Sequence, residues 1–177
     1  MRRLVTGLNT DGVSAIVSDG IPPRTRDYTS LTDFSIALVW ATEPQDGPNV
    51  SGSDSTVEVT SIVPGPGATR LMRLQIPPDR ALFSPDVDLA AVAAEHMATA
   101  PGLAEKLEAD GMHSTATVDY VIVTEGELSM QTDDGSITTL RAGDVLIQNA
   151  TRHAWRNFSD RPAAMIVVLV GVDGAAS

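Results

Sequence analysis

The sequence has no cysteine among its 177 residues. This absence excludes disulfide bonds, thiolate metal sites and cysteine nucleophiles together. Long apolar runs are missing as well: no stretch of about 18 apolar residues occurs, so no membrane span is predicted. The N-terminal segment, MRRLVTGLNTDG, lacks the apolar region of a signal peptide. We therefore expect a cytoplasmic protein.

Positive charge is also scarce. The chain has 12 Lys and Arg against 23 Asp and Glu, which gives a formal net charge of −11. Nucleic acids and anionic membranes bind basic surfaces, so this balance argues against both as partners. The glycine-rich turns have neither Walker nor dinucleotide spacing, and no serine stands in a nucleophile-elbow context. The charge balance says little about a small-molecule partner, because a local pocket can differ in sign from the whole chain.

The apolar content suits one folded domain that spans residues 1–177. Hydrophobic residues make up 42% of the chain, enough for a substantial core. Short apolar segments separated by Gly, Pro, Asn and Asp turns predict strands in residues 1–83 and again in residues 111–172. The strands are predicted at Arg3–Leu8, Val13–Ser18, Phe34–Ala41, Val57–Val63, Arg70–Ile76, Glu127–Thr132, Ser136–Leu140, Val145–Gln148 and Ala163–Val170. This pattern is typical of an all-β sandwich or barrel.

Residues 84–110 differ from the rest because they are rich in Ala, Leu and Glu. Ser84 as N-cap and Pro85 at the first helical position predict a helix start. Pro101 and Gly102 interrupt the helix, and a short second helix is expected after them. We interpret the segment as a helical insertion and expect His96 to lie on its surface. The tail, residues 171–177, is expected to fray.

The most informative stretch runs from Gly111 to Asn157. Four polar residues in it share odd numbering with the apolar Val121 and Val123, so in an extended strand all six face the same way. The four are His113, Thr115, Thr117 and Asp119. The valines place this face inward, where unpartnered polar groups are costly. His153, with Trp155 and Asn157 at matching parity, adds a second imidazole. We therefore predict a pocket that contains His113, Asp119 and His153.

These residues resemble the two conserved motifs of the cupin superfamily, and the cupin 2 conserved-barrel group in particular. In Gly143–Asn157 a Gly opens a strand and His153 precedes Asn157 by four positions, as in the second motif. In the first motif His113 fits the first His, Asp119 stands at the Glu position, and Gly126 follows seven residues later. The resemblance implies a double-stranded β-helix, or jelly-roll barrel, with extra N-terminal strands and a short helical insertion.

The chain also departs from these motifs. Thr115 occupies the position of the second metal-binding His, and Asp119 is one methylene shorter than Glu. Gln148 and Ala150 replace the proline and glycine of the second motif's turn. The resemblance then implies His113, Asp119 and His153 as ligands for a divalent transition metal (Fe, Mn, Ni or Zn), with a site that binds no metal as the alternative.

Alternative roles are open for several of these residues. Either histidine can be a core residue hydrogen-bonded to its neighbours, and Asp119 can be paired with Arg70 or Arg73, which we also place at the pocket. Trp155 is expected to fill the core, although its parity allows it to line the pocket mouth. Tyr120 has the opposite parity and is expected outside.

Two classes of function follow. The first is a metal-dependent enzyme that acts on a small oxygenated organic substrate by oxygenase, lyase or isomerase chemistry. The second is a metal-free pocket in which His113 or His153 acts as a base oriented by Asp119, or which only binds a ligand. The resemblance also implies a homodimer formed through N-terminal strands. The strand Phe34–Ala41, expected at an edge, and the last strand support this, because both are apolar enough to need a covering partner.

Overall fold

A computed structural model of the protein describes residues 1–174. Strands dominate it, and all the strand pairs within its sheets are antiparallel. The strands are β1 (Arg3–Leu8), β2 (Ser14–Gly20), β3 (Arg24–Asp27), β4 (Ser35–Thr42), β5 (Thr69–Ile76), β6 (Thr117–Glu125), β7 (Glu127–Thr132), β8 (Ile137–Arg141), β9 (Val145–Asn149), β10 (His153–Arg156) and β11 (Ala163–Gly171). The helices are α1 (Asp79–Leu82) and α2 (Leu89–Thr99), followed by a 3₁₀ turn at Ala104–Lys106.

Two sheets enclose the core. The larger sheet has the order β3-β4-β5-β11-β6-β9, and the smaller one has the order β10-β7-β8. Leu128 of the smaller sheet packs with Val121 and Met165 of the larger sheet in one buried cluster. The predicted all-β double-sheet barrel is therefore confirmed. Strands β1 and β2 form a separate hairpin, close to the predicted one.

The burial of residues around Asp119 alternates along the strand as predicted. Strand β6 begins at Thr117, and its odd-numbered residues from Thr117 to Val123 are buried. Tyr120, at the opposite parity, is 46% exposed on the outer face. Gly126, with φ of +69°, makes the turn into β7, where a Cβ would lie 3.0 Å from Ala163 Cβ. Glycine adopts this conformation at little cost, and a side chain here would also force the neighbouring Ala163 to shift.

The expected edge strand is in fact internal. Strand β4 lies between β3 and β5, and β11 lies between β5 and β6. A short strand, β3, which the sequence analysis missed, covers β4. Our argument that these two strands need a partner chain was therefore wrong.

Two other local predictions were also wrong. Residues 57–63 form turns and bends instead of a strand, and the backbone N–H of Ile62 donates to Pro101 O at 2.8 Å. Helix α2 begins after Asp88, whose carboxylate accepts from the N–H groups of Ala90 and Ala91. Asp88 therefore caps the helix in place of Ser84, which lies in the preceding turn. The expected second helix is only the 3₁₀ turn at Ala104–Lys106.

Helix α2 is tied to the start of the chain. Glu95 accepts hydrogen bonds from the backbone N–H groups of Thr29 and Ser30, both at 3.0 Å. The partly buried Val92 and Leu103 pack against the main core.

Among the described residues, no helix is both long and apolar enough to cross a membrane. The predicted fraying concerns a tail whose last residues, 175–177, lie outside the described part of the chain.

Candidate active site

A cavity of about 530 Å³ lies between the barrel strands and the segment that contains α2. Its walls are mostly apolar and come from β5, β6, β11, α2 and the residues that follow α2. Three polar residues predicted from the sequence to form the site, His113, Asp119 and His153, all line this cavity. The structure therefore brings together groups that are up to 40 positions apart in the sequence.

The two histidines face each other. His113 precedes β6 and His153 begins β10, and they form an isolated antiparallel bridge. Their ring centroids are 4.5 Å apart, with 48° between the ring planes. Directly paired residues of antiparallel segments present their side chains on the same face, which explains why the rings meet.

The neighbours of the two Nδ1 atoms differ. His113 Nδ1 lies 3.2 Å from Gly111 O. Because a carbonyl only accepts, Nδ1 carries the hydrogen, and Nε2 is left with a lone pair. His153 Nδ1 lies 2.9 Å from Thr151 O and 2.7 Å from Gln148 Nε2. A carbonyl and an amide NH₂ at the same atom provide a partner for either tautomer of His153.

Burial sets the charge of the site. Burial first, and then the nearby His113, lower the pKa of His153 to about 4, against a smaller opposing effect of the hydrogen bond to Thr151. Burial also lowers the pKa of His113, partly offset by its hydrogen bond to Gly111. Burial raises the pKa of Asp119 to about 6, and a hydrogen bond from Thr117 opposes that rise. Both imidazoles are therefore neutral at pH 7.

Asp119 and Gln148 are directly paired across β6 and β9. Both side chains are buried, with 6% and 2% exposed. Asp119 Oδ1 and Gln148 Oε1 have no hydrogen-bond partner among residues 1–174. Buried acceptors without donors are rare in native proteins, so this part of the wall is electrostatically unfavourable when Asp119 is ionised.

The predicted metal ligands do not assemble into a metal-binding group. Within residues 1–174, no cluster of three or more His, Cys, Asp or Glu side chains is arranged to hold a metal ion. Thr115, at the position of the second motif His, bonds Thr117 through its hydroxyl at 2.7 Å. Two imidazoles converge, and the third ligand that a stable site requires is missing. This donor set does not fit a three-ligand metal centre.

The remaining predicted pocket residues divide into two groups. Thr115 and Trp155 line the cavity, and the rings of Trp155 and His153 meet edge to face at 6.3 Å. Thr117 is fully buried beneath Thr115 and lies outside the cavity lining. Asn157 donates to the carbonyls of Ile76 and Arg161, so it holds the chain after β10.

The two arginines expected at the pocket do not line it. Arg70 donates to Glu43 Oε1 at 2.7 Å and to backbone carbonyls at the far end of β5. Arg73 bonds Gln75. Since Asp119 Oδ1 has no partner within residues 1–174 and neither arginine bonds this carboxyl, the predicted ion pair with Asp119 is also absent there.

His96 lines the same cavity, and the expectation of a surface residue was wrong. Its Nδ1 lies 2.7 Å from the hydroxyl of Tyr28, and its Nε2 is buried. The signal was the helical spacing, because Leu89, Val92 and His96 lie three and four positions apart and share one face of α2. The Ala-rich composition of the helix hid that face.

Comparisons with known proteins identify the family that part of this barrel matches. Residues 99–169 match the family model described as a cupin domain, Cupin_2. The part of the barrel formed by residues 99–169, which contains the histidine pair, therefore matches a cupin domain.

Individual relatives match over shorter stretches. Phomopsin biosynthesis cluster protein C′ of Diaporthe leptostromiformis is 44% identical over 48 residues, which is 27% of this chain and 25% of that protein. The cupin-domain-containing oxidoreductase virC of Hypocrea virens is 39% identical over 62 residues, 33% of this chain and 32% of that protein. The chain thus matches about a quarter to a third of the length of these relatives. A solved cupin 2 conserved barrel domain protein from Salinispora arenicola has 15% identity and a TM-score of 0.38, with 73% of each chain covered.

Proposed function

We propose that this protein is a metal-independent cupin enzyme that transfers a proton on a small, largely apolar ketone or related oxygenated molecule. The observation that carries the proposal is the His113–His153 pair, with rings 4.5 Å apart in a mostly apolar cavity. Two neutral imidazoles can divide the roles of base and donor, which general acid–base catalysis requires.

The neighbours of each ring assign these roles. His113 donates its Nδ1–H toward Gly111 O, so its Nε2 lone pair is the base that takes a proton from the carbon next to the carbonyl. When Gln148 donates to His153 Nδ1, His153 carries its hydrogen on Nε2. That N–H hydrogen-bonds to the carbonyl oxygen and stabilises the enolate as it forms, and His153 keeps its proton. Return of the proton from His113 to a carbon atom completes an isomerisation or an exchange.

Catalysed hydrogen–deuterium exchange tests the proposal. 4-Isopropylacetophenone in D₂O is followed by NMR with wild type, His113→Gln, His153→Gln and, as control, Tyr120→Phe on the outer face of β6. We expect wild type and the control to exchange the acetyl protons equally, and each histidine variant to be slower by about 100-fold or more. Prior dialysis against EDTA is expected to leave the wild-type rate unchanged.

The second candidate is a metal-dependent oxidoreductase. The convergence of two imidazoles favours it, and so does the similarity to virC of Hypocrea virens, which is named a cupin-domain-containing oxidoreductase. The EDTA arm separates the two functions, because loss of activity on dialysis and recovery with Fe²⁺, Mn²⁺, Ni²⁺ or Zn²⁺ would establish the second. Binding of the ketone without any exchange above background would reduce the protein to a ligand-binding module.

A further inference from the structure

A second polar group faces the cavity from the helical segment. His96 on α2 and Tyr28, which precedes β4, join through the Tyr28 hydroxyl and His96 Nδ1 at 2.7 Å. Burial raises the pKa of Tyr28, partly opposed by a hydrogen bond from Thr99. Burial lowers the pKa of His96. Tyr28 therefore keeps its proton, and His96 stays neutral.

The polarity of this contact fixes the tautomer of His96. A phenol hydroxyl is a stronger donor than a neutral imidazole N–H, and an imidazole nitrogen is the stronger acceptor, so the Tyr28 hydroxyl donates to His96 Nδ1. A neutral imidazole has one hydrogen, and if Nδ1 accepts, that hydrogen is on Nε2. His96 Nε2 is buried and has no hydrogen-bond partner within residues 1–174. The structure thus holds a donor without an acceptor.

The acceptor must come from the contents of the cavity. His96 and His113 line the same space, and they are close enough that charge on His96 affects the pKa of His113. Apolar side chains surround His96, including Phe34, whose ring centroid is 6.0 Å away. Native proteins seldom leave a buried N–H unpaired, and the hydrogen bond to Tyr28 holds the His96 ring in the cavity wall.

We propose that His96 Nε2–H is a specificity-determining donor that recognises a neutral oxygen acceptor at the end of the substrate remote from the reacting carbon. This inference rests on the proposed function for what happens at His113 and His153, and it narrows the substrate class. The substrate is a small apolar molecule with two oxygen functions. One is the ketone at the histidine pair, and the other is a carbonyl or ether read by His96.

Two ligands of matched size test the inference. 1,4-Diacetylbenzene has a second carbonyl where 4-isopropylacetophenone has an isopropyl group of similar shape. Binding is measured by the fluorescence of Trp155, which lines the cavity, in a Trp40→Phe background. We expect that background protein, with His96 intact, to bind the diketone at least tenfold more tightly. His96→Leu is expected to bind both ligands within twofold of each other, with unchanged affinity for the monoketone. His96→Gln, which keeps an N–H donor, is expected to restore part of the preference.

Two further readouts protect the test. If His96→Leu fails to fold, ¹⁵N NMR of histidine-labelled wild type decides: His96 is expected as the Nε2–H tautomer, and its Nε2–H signal is expected to shift with the diketone and stay unchanged with the monoketone. A hydrogen on Nδ1, or an unchanged diketone preference in His96→Leu, overturns the inference. Binding selectivity is measured without turnover, so absence of exchange would defeat the proposed function while leaving the His96 result intact.

Discussion

His113 and His153 are hydrogen-bonded to each other through their backbones, each N–H donating to the other's carbonyl at 2.9 Å. The main chain therefore sets the distance between the two rings. A side-chain substitution at either position changes the chemistry of the pair and leaves the bridge in place. Because the backbone bridge does not depend on the side chains, the histidine pair is suitable for testing by mutation.

The lowered pKa values of the two imidazoles predict the pH dependence of exchange. A base with a lowered pKa remains unprotonated further into the acid range. We expect kcat/KM for 4-isopropylacetophenone, corrected for solvent-catalysed exchange, to be constant from pH 8 to pH 6.5. It should fall only below pH 6.5 and be lost near pH 4, where His153 also protonates. N-acetylhistidine, with a midpoint of about 6.5, is the reference. A wild-type midpoint at pH 7 or above would contradict the assignment.

The raised pKa of Asp119 predicts that the folded protein becomes less stable as the pH rises. The pKa of this carboxyl rises on folding from 3.8 to about 6, so the folded state binds the proton more tightly. This contribution to stability is present at pH 4 and is lost as the pH rises through 6. The full shift corresponds to about 3 kcal/mol. We therefore expect Asp119→Asn to match wild type near pH 4 and to be more stable by up to about 3 kcal/mol at pH 7.5.

Urea unfolding at both pH values measures this difference. Asp11→Asn, in the exposed turn between β1 and β2, is the control and is expected to show no such change. If Asp119→Asn is less stable than wild type at pH 7.5, then ionised Asp119 has a stabilising partner and our account of its surroundings is wrong.

Gln148 is expected to control the tautomer of His153. Gln148→Met removes the donor to His153 Nδ1, and the remaining neighbour, Thr151 O, favours hydrogen on Nδ1. We expect ¹⁵N NMR to show His153 shifted to the Nδ1–H form and exchange to slow by about tenfold or more. The lost bond to Thr151 should cost about 1–2 kcal/mol in unfolding free energy. Gln75→Met, at a surface amide that bonds Asp33 O, is the matched control. An unchanged His153 tautomer would show that Gln148 has only a structural role.

The position of Thr115 predicts that a single substitution there creates a metal site. The Thr115 side chain is 3% exposed, lines the cavity and stands where the family motif has its second His. Thr115→His adds a third imidazole beside the pair and should complete a site for Zn²⁺ or Ni²⁺. After equilibration with Zn²⁺ and dialysis, plasma mass spectrometry is expected to find less than about 0.1 metal per wild-type chain and nearly one per Thr115→His chain.

The controls for this experiment lie outside the cavity. Thr138→His, on the exposed side of β8, should retain no more metal than wild type. Near-stoichiometric metal in wild type that disappears in His113→Gln and His153→Gln would restore the metal-dependent function.

The all-β class and the inward face of β6 could be predicted because both depend on local periodicity. Alternating burial from Thr117 to Val123 is visible as parity, and it places Asp119 inward. The double-sheet barrel, and the spacing of His153 to Asn157 as a motif, were implied by the family resemblance. What could not be predicted depends on contacts between distant segments. Arg70 bonds Glu43, 27 positions away, and His96 is held inward by Tyr28, 68 positions away.

The turn after β9 shows the same limit. Ala150 has φ of +54°, a left-handed conformation that costs a non-glycine residue about 1–2 kcal/mol. The family resemblance identified the missing glycine, and yet the turn forms. The contacts of Gln148 with Thr151 and His153 hold it in place.

Association of two chains through N-terminal strands remains a prediction, now based on the β1–β2 hairpin in place of β4 and β11. The β1–β2 hairpin exposes Leu4, Leu8 and Ile16, at 50%, 46% and 53%. Leu4 and Leu8 share a parity with Thr6, which pairs with Ile16, so the three apolar side chains lie on one face. Apolar patches on a free surface are typical of protein contacts.

We expect a dimer in sedimentation velocity at micromolar concentration and a monomer for the Leu4→Asp, Ile16→Asp double variant. Thr138→Asp, on the exposed side of β8 and away from the hairpin, tests whether added charge alone is responsible. Because the hairpin lies outside both barrel sheets, circular dichroism of the monomeric variant should be unchanged, and a monomeric wild type would leave this face without a partner chain.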